Sequence, residues 1–314
     1  MDGILIIDKP AGITSHDVVA RCRRILRTRR VGHTGTLDPF ATGVVVILVN
    51  QATRLAQFLD KDEKEYEAVA RFGFETTTGD LTGEPRESPA SDFRFQISGE
   101  EIENALKDFR GEIEQTPPMF SAKKVDGQKL YELARRGVEI ERRPQKVTIF
   151  ELEVVNEQKI VNSEQIIAGQ KTETQDLTIR VVCSAGTYIR TLAEDIGRKS
   201  AVGAHLAALR RTRAGKFDLT RAVTLERLEE IAAANELDEI LISMNDALPH
   251  LPEIKLNEAE ARKTRNGMKL KFESAAASVA DNLPFRLTDE TGNLVAVGFY
   301  KAAEKIIQPR VVLV

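Results

Sequence analysis

The chain has no tryptophan, two cysteines, four tyrosines and four histidines in 314 residues, and each scarcity removes a class of function. Cys22 and Cys183 share no Cys-x-x-Cys spacing, which argues against a disulfide framework or a thiolate metal site and leaves them as small core residues. His16, His33, His205 and His250 are scattered without ligand spacing, so a metal hydrolase is disfavoured and no metal is expected. No stretch approaches the roughly 18 uninterrupted apolar residues that would span a membrane. The N-terminus has acids, Asp2 and Asp8, on both sides of a short apolar run and no basic segment before it. It reads as a first strand rather than a signal peptide, and a cytoplasmic protein is expected. Neither Gly-x-Gly-x-x-Gly nor a Gly-Lys-Thr/Ser ending is present, which sets aside a nucleotide-binding phosphate loop.

What is present is 42% hydrophobic residues, enough for one large domain and a small one, each with its own core. The net charge of −3 hides an uneven distribution. Residues 21–30 carry six arginines, and further clusters are Lys123-Lys124, Arg142-Arg143 with Lys146, and Arg210-Arg211 with Arg213 and Lys216. Any one of these reads as a solvated face. Four on a mildly acidic chain fit a polyanion that meets one side only.

The most informative segment follows the first arginine cluster. Gly32-His33-Thr34-Gly35-Thr36-Leu37-Asp38-Pro39-Phe40-Ala41-Thr42-Gly43 places one acid in a Gly- and Thr-rich loop that runs into Val44–Val49, an apolar β-branched run typical of a buried strand. A carboxylate presented this way is a candidate base, metal ligand or nucleophile.

Along the chain, Thr14-Ser15-His16-Asp17 opens a helix, with Ser15 as candidate N-cap and Val18, Val19, Cys22, Ile25 and Leu26 at helical spacing. Residues 65–74 begin with strand alternation, and 76–91 read as an exposed loop. Ser98 and Glu101 form a capping box for a helix through Phe109. Residues 116–146 are a basic, Pro-bounded insertion, helical at best from Gln128 to Arg136 and long enough to be functional. Strands near 147–155 and 177–184 flank a polar hairpin excursion at 156–176. Helices are expected from about 189 to 199, around His205–Arg211, and at 224–234. Leu248-Pro249-His250-Leu251-Pro252 then marks a boundary before a β-rich module.

Taken in order, several motifs resemble the bacterial tRNA pseudouridine-55 synthases, the TruB family. They are Asp8-Lys9-Pro10-Ala11-Gly12, the Gly32–Gly43 loop, Lys64-Glu65-Tyr66, Thr78-Gly79-Asp80, Met119-Phe120-Ser121-Ala122-Lys123, Cys183 to Arg190, and Leu209-Arg210-Arg211. The resemblance covers nearly the whole chain. It implies an α+β fold, a pseudouridine-synthase-type mixed and mainly antiparallel sheet flanked by helices. Residues 1–247 would form the catalytic domain, with 116–146 as RNA-binding insertion, and 248–314 a small PUA-like RNA-binding domain.

By the same resemblance Asp38 is the catalytic carboxylate, Arg190 the arginine that pairs with it and keeps it ionised, and Tyr66 the aromatic near the base. The implied substrate contacts are His33, Tyr66, Tyr188 and Leu209. Lys9, Asp80 and Lys123 fall in family motifs, the first two with roles that are either functional or structural. The implied reaction breaks the N1 glycosidic bond of a uridine extruded from the tRNA T loop, turns the base and rejoins it through C5. Nothing enters or leaves, so no cofactor is needed. Addition of Asp38 to C6, addition to C1′, or abstraction of the 2′ proton all begin with an ionised carboxylate, and the sequence leaves the three open. The partner is tRNA, through T loop and T stem, with no protein partner and a monomer implied. Rival readings are a noncatalytic RNA-binding protein and a pseudouridine synthase acting on ribosomal RNA or within a guide-RNA particle.

Overall fold

The computed structural model describes every residue except 87–96, 126, 156–160, 168–169, 273–279 and 314; for 161–172 the backbone alone is described. In chain order the first part runs β1 (Gly3–Lys9), α1 (Ser15–Ile25), β2 (Val31–Thr34), β3 (Thr42–Val49), α2 (Ala56–Leu59), β4 (Lys64–Phe72), α3 (Gly99–Lys107) and β5 (Gly111–Gln115). The insertion holds β6 (Lys124–Val125), β7 (Gln128–Lys129) and α4 (Leu130–Arg135). Then come β8 (Gln145–Val154), β9 (Val161–Ile167), β10 (Gln170–Cys183), α5 (Ile189–Lys199), β11 (Ala204–Ala214), β12 (Phe217–Asp218) and α6 (Leu225–Ala234). The C-terminal part adds β13 (Glu253–Lys255), α7 (Glu258–Arg265), β14 (Leu270–Lys271), β15 (Pro284–Thr288), β16 (Leu294–Lys301) and β17 (Ile306–Val312).

Among the described residues one ten-stranded sheet has the order β1-β3-β11-β4-β10-β8-β5, with β2, β9 and β12 attached to β3, β10 and β11. Its pairings are antiparallel except β11 against β3, which are parallel at Arg210 and Arg211. This is the mixed, mainly antiparallel α+β sheet the sequence led one to expect.

The apolar patterns explain the layering. Strand β4 alternates, burying Lys64, Tyr66, Ala68, Ala70 and Phe72 while Glu65, Glu67 and Arg71 stay less covered, as a strand with one wet face must. Strands β1 and β3 carry the continuous apolar runs Ile4–Ile7 and Val44–Val49 because both of their faces are covered there. Leu5, Ile7, Val45, Ile47 and Val49 belong to the apolar cluster that takes in α1, α3, α5 and α6, whereas Ile4, Ile6, Val44, Val46 and Leu48 belong to a second cluster that includes Leu294, Val297, Val311 and Leu313 of the C-terminal part. That part has its own sheet, β13-β15-β16-β17-β14, and its own apolar cluster around Phe285, Leu287 and Tyr300. The punctuating segment is not an exposed linker, since Leu248 and Leu251 are buried in the shared cluster.

Four expectations need correction. The N-cap of α1 is Thr14, whose side chain accepts the Asp17 N–H in a capping box; Ser15 is buried and serves the Asp38 loop instead. Residues 205–211 are not a helix but the middle of β11. Ala, Leu and Arg favour helices locally, and bulges at 206/208 and 211/213 break the two-residue period. Pairing on both sides, with β3 and β4, overrides that preference. The segment from 76 is not an exposed loop at its start: Thr76 and Asp80 are buried and Asp80 bridges to Leu206. Residues 81–86 are mostly exposed and 87–91 lie outside the described residues. The basic cluster at 210–216 is not a surface stripe, because Arg210 pairs with Asp8 at 2.7 Å, Arg213 with Glu63 at 2.7 Å, and Arg211 is buried.

Other expectations agree. Ser98 and Glu101 form the capping box of α3, and Cys22 and Cys183 are free, buried thiols, burial pushing them up to about 12 and about 11. The excursion is the β9–β10 hairpin, although 156–160 and 168–169 lie outside the described residues.

Candidate active site

The segment from Gly35 to Ala41 joins β2 to β3 without a ladder of its own, so other groups must satisfy its backbone. Ser15 Oγ accepts the Leu37 N–H at 2.8 Å and reaches the Leu37 carbonyl at 3.2 Å. The Pro39 carbonyl accepts from Gly12 N–H at 2.8 Å and from Lys9 Nζ at 3.1 Å. The Gly35 N–H donates to Asp60 Oδ1 at 3.2 Å, and the Gly35 carbonyl accepts from Arg211 Nη2 at 2.8 Å. Asp38 is thus tied down on both sides, and its own side chain keeps 32% of its surface open.

Arg190 approaches from the first turn of α5 with a side chain 5% exposed. The start of that helix has no side-chain cap. Instead the buried amide of Gln115 accepts the Tyr188 N–H at 3.0 Å and donates to the Tyr188 carbonyl at 3.3 Å. Arg190 Nε and Nη2 meet the two Asp38 oxygens at 2.9 and 3.2 Å, a side-on fork that a single ammonium cannot copy. Its remaining donors go to the Thr78 carbonyl at 3.0 Å and the Phe120 carbonyl at 2.6 Å, with Asp80 Oδ2 at 3.5 Å. Asp80 in turn accepts from Thr78 Oγ1 at 2.8 Å and Thr82 N–H at 2.9 Å.

These groups border a cavity of about 270 Å³ lined by Asp38, Tyr66, Tyr188, Arg190 and Leu209, near the roughly 300 Å³ lower end of small-molecule sites. Lys123 of the insertion also faces it, with Lys64 and Arg211. Burial raises the Asp38 carboxyl above its ordinary range; Arg190 and Lys9 oppose that rise, and Asp80 adds to it. Burial likewise pushes up the phenols of Tyr66 and Tyr188, so both present neutral rings at neutral pH.

Of the residues proposed from sequence, six therefore share one cavity: Asp38, Tyr66, Lys123, Tyr188, Arg190 and Leu209. Lys9, Asp80 and His33 do not line it. Lys9 is fully buried beneath the loop, donating to Pro10, Ile13 and Pro39 carbonyls at 2.9, 2.7 and 3.1 Å. Burial lowers its pKa to about 8. Asp80 stands behind Arg190. His33 sits on β2, its ring 5.7 Å from that of His16 and edge-on, with a buried Nδ1 that has no hydrogen-bond partner among the described residues.

Sequence reasoning passed over Lys64, Gln115 and Arg211. The first and last stand inside quoted motifs, but basic residues read by default as surface groups. Gln115 has no local signal. Among the described residues no group of three His, Cys, Asp or Glu side chains is placed to hold a metal ion. The arrangement offers a carboxylate paired with a guanidinium that biases its charge, and two tyrosine rings, Tyr66 and Tyr188, lining the same cavity.

Comparison with known proteins adds an independent line. The profile described as TruB family pseudouridylate synthase (N terminal domain) matches residues 23–189, and that of the tRNA pseudouridylate synthase B C-terminal domain matches 190–249. The tRNA pseudouridine synthase B of Solibacter usitatus (strain Ellin6076) is 42% identical over 298 residues, 95% of each chain. That of Geobacillus thermodenitrificans (strain NG80-2) is 45% identical over 87% of this chain and 86% of its own. Among solved structures, a chain of a Cbf5-Nop10-Gar1 complex superposes with a TM-score of 0.73 at 26% identity, covering 99% of this chain and 85% of that one. A chain of an H/ACA RNP bound to a substrate RNA containing 2′-deoxyuridine gives 0.72 at 25% identity with the same coverage.

Proposed function

This chain belongs to the TruB family of pseudouridylate synthases, and from that premise we propose that it converts uridine 55 in the T loop of tRNA to pseudouridine with Asp38 as its catalytic carboxylate. As a tRNA pseudouridine synthase it is an isomerase. The observation that carries the residue assignment is the Asp38–Arg190 fork at 2.9 and 3.2 Å beside a cavity walled by Tyr66 and Tyr188.

The physical demands of the reaction match these groups. A uridine must leave its stack, which costs a few kcal/mol, and a π-face must receive it; Tyr66 and Tyr188 offer such faces. The base must then turn without escaping, which the enclosing walls and Leu209 allow. Asp38 supplies an ionised oxygen beside the glycosidic bond, whether it adds to C6 or C1′ or takes the 2′ proton. Arg190 keeps that oxygen charged against the pull of burial. Lys123 lies at the rim, where it can meet a phosphate of the T stem or loop. His33, outside the cavity, contacts the RNA in its flipped conformation.

Exposed Arg23, Arg24, Arg27, Arg29 and Arg30 along and beyond α1 offer further phosphate contacts, so affinity for tRNA falls steeply with salt. Residues 1–247 form the catalytic domain and 248–314 a PUA-like RNA-binding domain. The enzyme works as a monomer in the cytoplasm.

The experiment compares the wild type with Asp38→Asn on a tRNA transcript, reading pseudouridine by position. The wild type modifies position 55 and no other; the variant binds tRNA with wild-type affinity and yields no pseudouridine. Turnover by the variant removes Asp38 from its role. Modification elsewhere, or only of ribosomal RNA, removes the substrate assignment.

A further inference from the structure

Arg211 is among the largest fully buried side chains of the molecule, 1% exposed. Among the described residues no carboxylate lies within 4 Å of it, whereas the other buried arginine, Arg190, has two. A buried charge without an opposite charge beside it is costly, and a neutral side chain of similar volume generally packs at least as well. Its guanidinium is not there for packing alone.

The register of the sheet explains where it acts. On β11 Arg211 stands directly opposite Tyr66 of β4 and, on the other side, opposite Gly43 of β3. From there Nε donates to the Val44 carbonyl at 2.7 Å and Nη2 to the Gly35 carbonyl at 2.8 Å. Gly35 precedes the Asp38 segment and Val44 follows it, so one planar group grips both ends. The backbone fit is equally close: a Cβ on Gly43 would sit 2.2 Å from the Arg211 carbonyl oxygen. The guanidinium also lines the cavity and lies beside the Tyr66 hydroxyl.

We propose that Arg211 is a positioning residue of this site, a buried guanidinium that clamps both flanks of the Asp38 loop and fixes them against Tyr66, so that carboxylate and ring address the same base. The proposal rests on the catalytic reading above. Lysine cannot replace it fully, because one ammonium on a flexible stem does not span two carbonyls in a plane. A displacement near 1 Å at a reacting group costs on the order of 100-fold in rate.

The test uses Arg211→Met, which keeps the stem and removes the charge, and Arg211→Lys, which keeps the charge and removes the fork. Single-turnover rate, tRNA affinity and melting temperature are measured on each full-length variant. The expected result is a rate about 100-fold lower for the Met variant and about 10-fold lower for the Lys variant, with tRNA affinity within about threefold of wild type. A folded Met variant with the wild-type rate overturns the proposal, as does a loss confined to KM. Should the Met variant not fold, the Lys variant decides alone: a lower kcat at unchanged KM supports the clamp, and an unchanged kcat refutes it.

A second readout needs no turnover. The 13C spectrum of labelled tyrosine in the free protein follows the Tyr66 ring, which stands opposite Arg211 in the sheet. In the Met variant the Tyr66 resonance shifts, and in the Lys variant it returns toward its wild-type position. Identical spectra in all three proteins overturn the proposal even if the substrate proves to be another RNA.

Discussion

Asp38 and Arg190 stand 152 residues apart in the chain and meet through two nitrogen–oxygen contacts of 2.9 and 3.2 Å. One comes from a loop between strands, the other from the first turn of α5, and a third segment joins them because Arg190 also holds the Phe120 carbonyl of the insertion. Loop, helix and insertion are therefore fixed by one guanidinium.

Arg190→Lys should be a poor substitute. The ammonium reaches Asp38 or the Phe120 and Thr78 carbonyls but not all of them, leaving buried acceptors unpaired at about 1–3 kcal/mol each. A fall of at least about 100-fold in single-turnover rate is expected, with tRNA affinity reduced less. Comparable losses in affinity and rate would mean that the arginine serves binding and not the carboxylate.

The pH dependence of the rate follows from Asp38. Its carboxyl is raised, first by burial, and in the role proposed for Asp38 the reactive form is the ionised one. The rate is therefore lost as pH falls through the raised value, at a higher pH than the usual carboxylate range near about 4. Asp80 contributes to the rise, so Asp80→Asn should lower the Asp38 pKa and carry the acid limb of the profile to lower pH. A limb that stays put, or moves up, contradicts this electrostatic picture.

Gly43→Ala tests the parallel junction of β3 with β11. Gly43 has φ +100°, and an added methyl would meet the Arg211 backbone at 2.2 to 2.9 Å, where neither strand can yield. A loss on the order of 3 kcal/mol or more in urea unfolding is expected from strain and overpacking together. Gly12→Ala, with nothing within 4 Å of its added methyl but φ +86°, should cost only the backbone term, about 1 kcal/mol.

The C-terminal part should prove indispensable for solubility. Removing residues 252–314 takes Leu294, Val297, Val311 and Leu313 out of the apolar cluster they share with Ile4, Ile6, Val44, Val46 and Leu48, and apolar surface left bare in this way drives association. Light scattering on the truncated chain should show aggregates at concentrations where the full chain is clear. A monodisperse truncated protein with an unchanged melting temperature would show that the shared cluster contributes little.

Local pattern was enough for much of this protein. The capping box at Ser98, the alternation of β4 and the continuous apolar runs of β1 and β3 are short-range signals, because they reflect hydrogen bonds and burial set within a few residues. The same holds for Asp38, whose loop is contiguous and whose neighbours are motif residues. Tertiary structure decided the rest. His205–Arg211 has helical propensity, yet partners on both sides, distant in the chain, make it a strand. That choice turns Leu209 toward the cavity and carries Arg211 into the interior, where sequence alone had placed it on a basic surface. Gln115 has no neighbour in sequence that hints at its grip on Tyr188. The physical reason is the same in each case: side chains acquire their role from the strands and loops that reach them across the fold, and those contacts leave no period, cap or spacing in the chain itself.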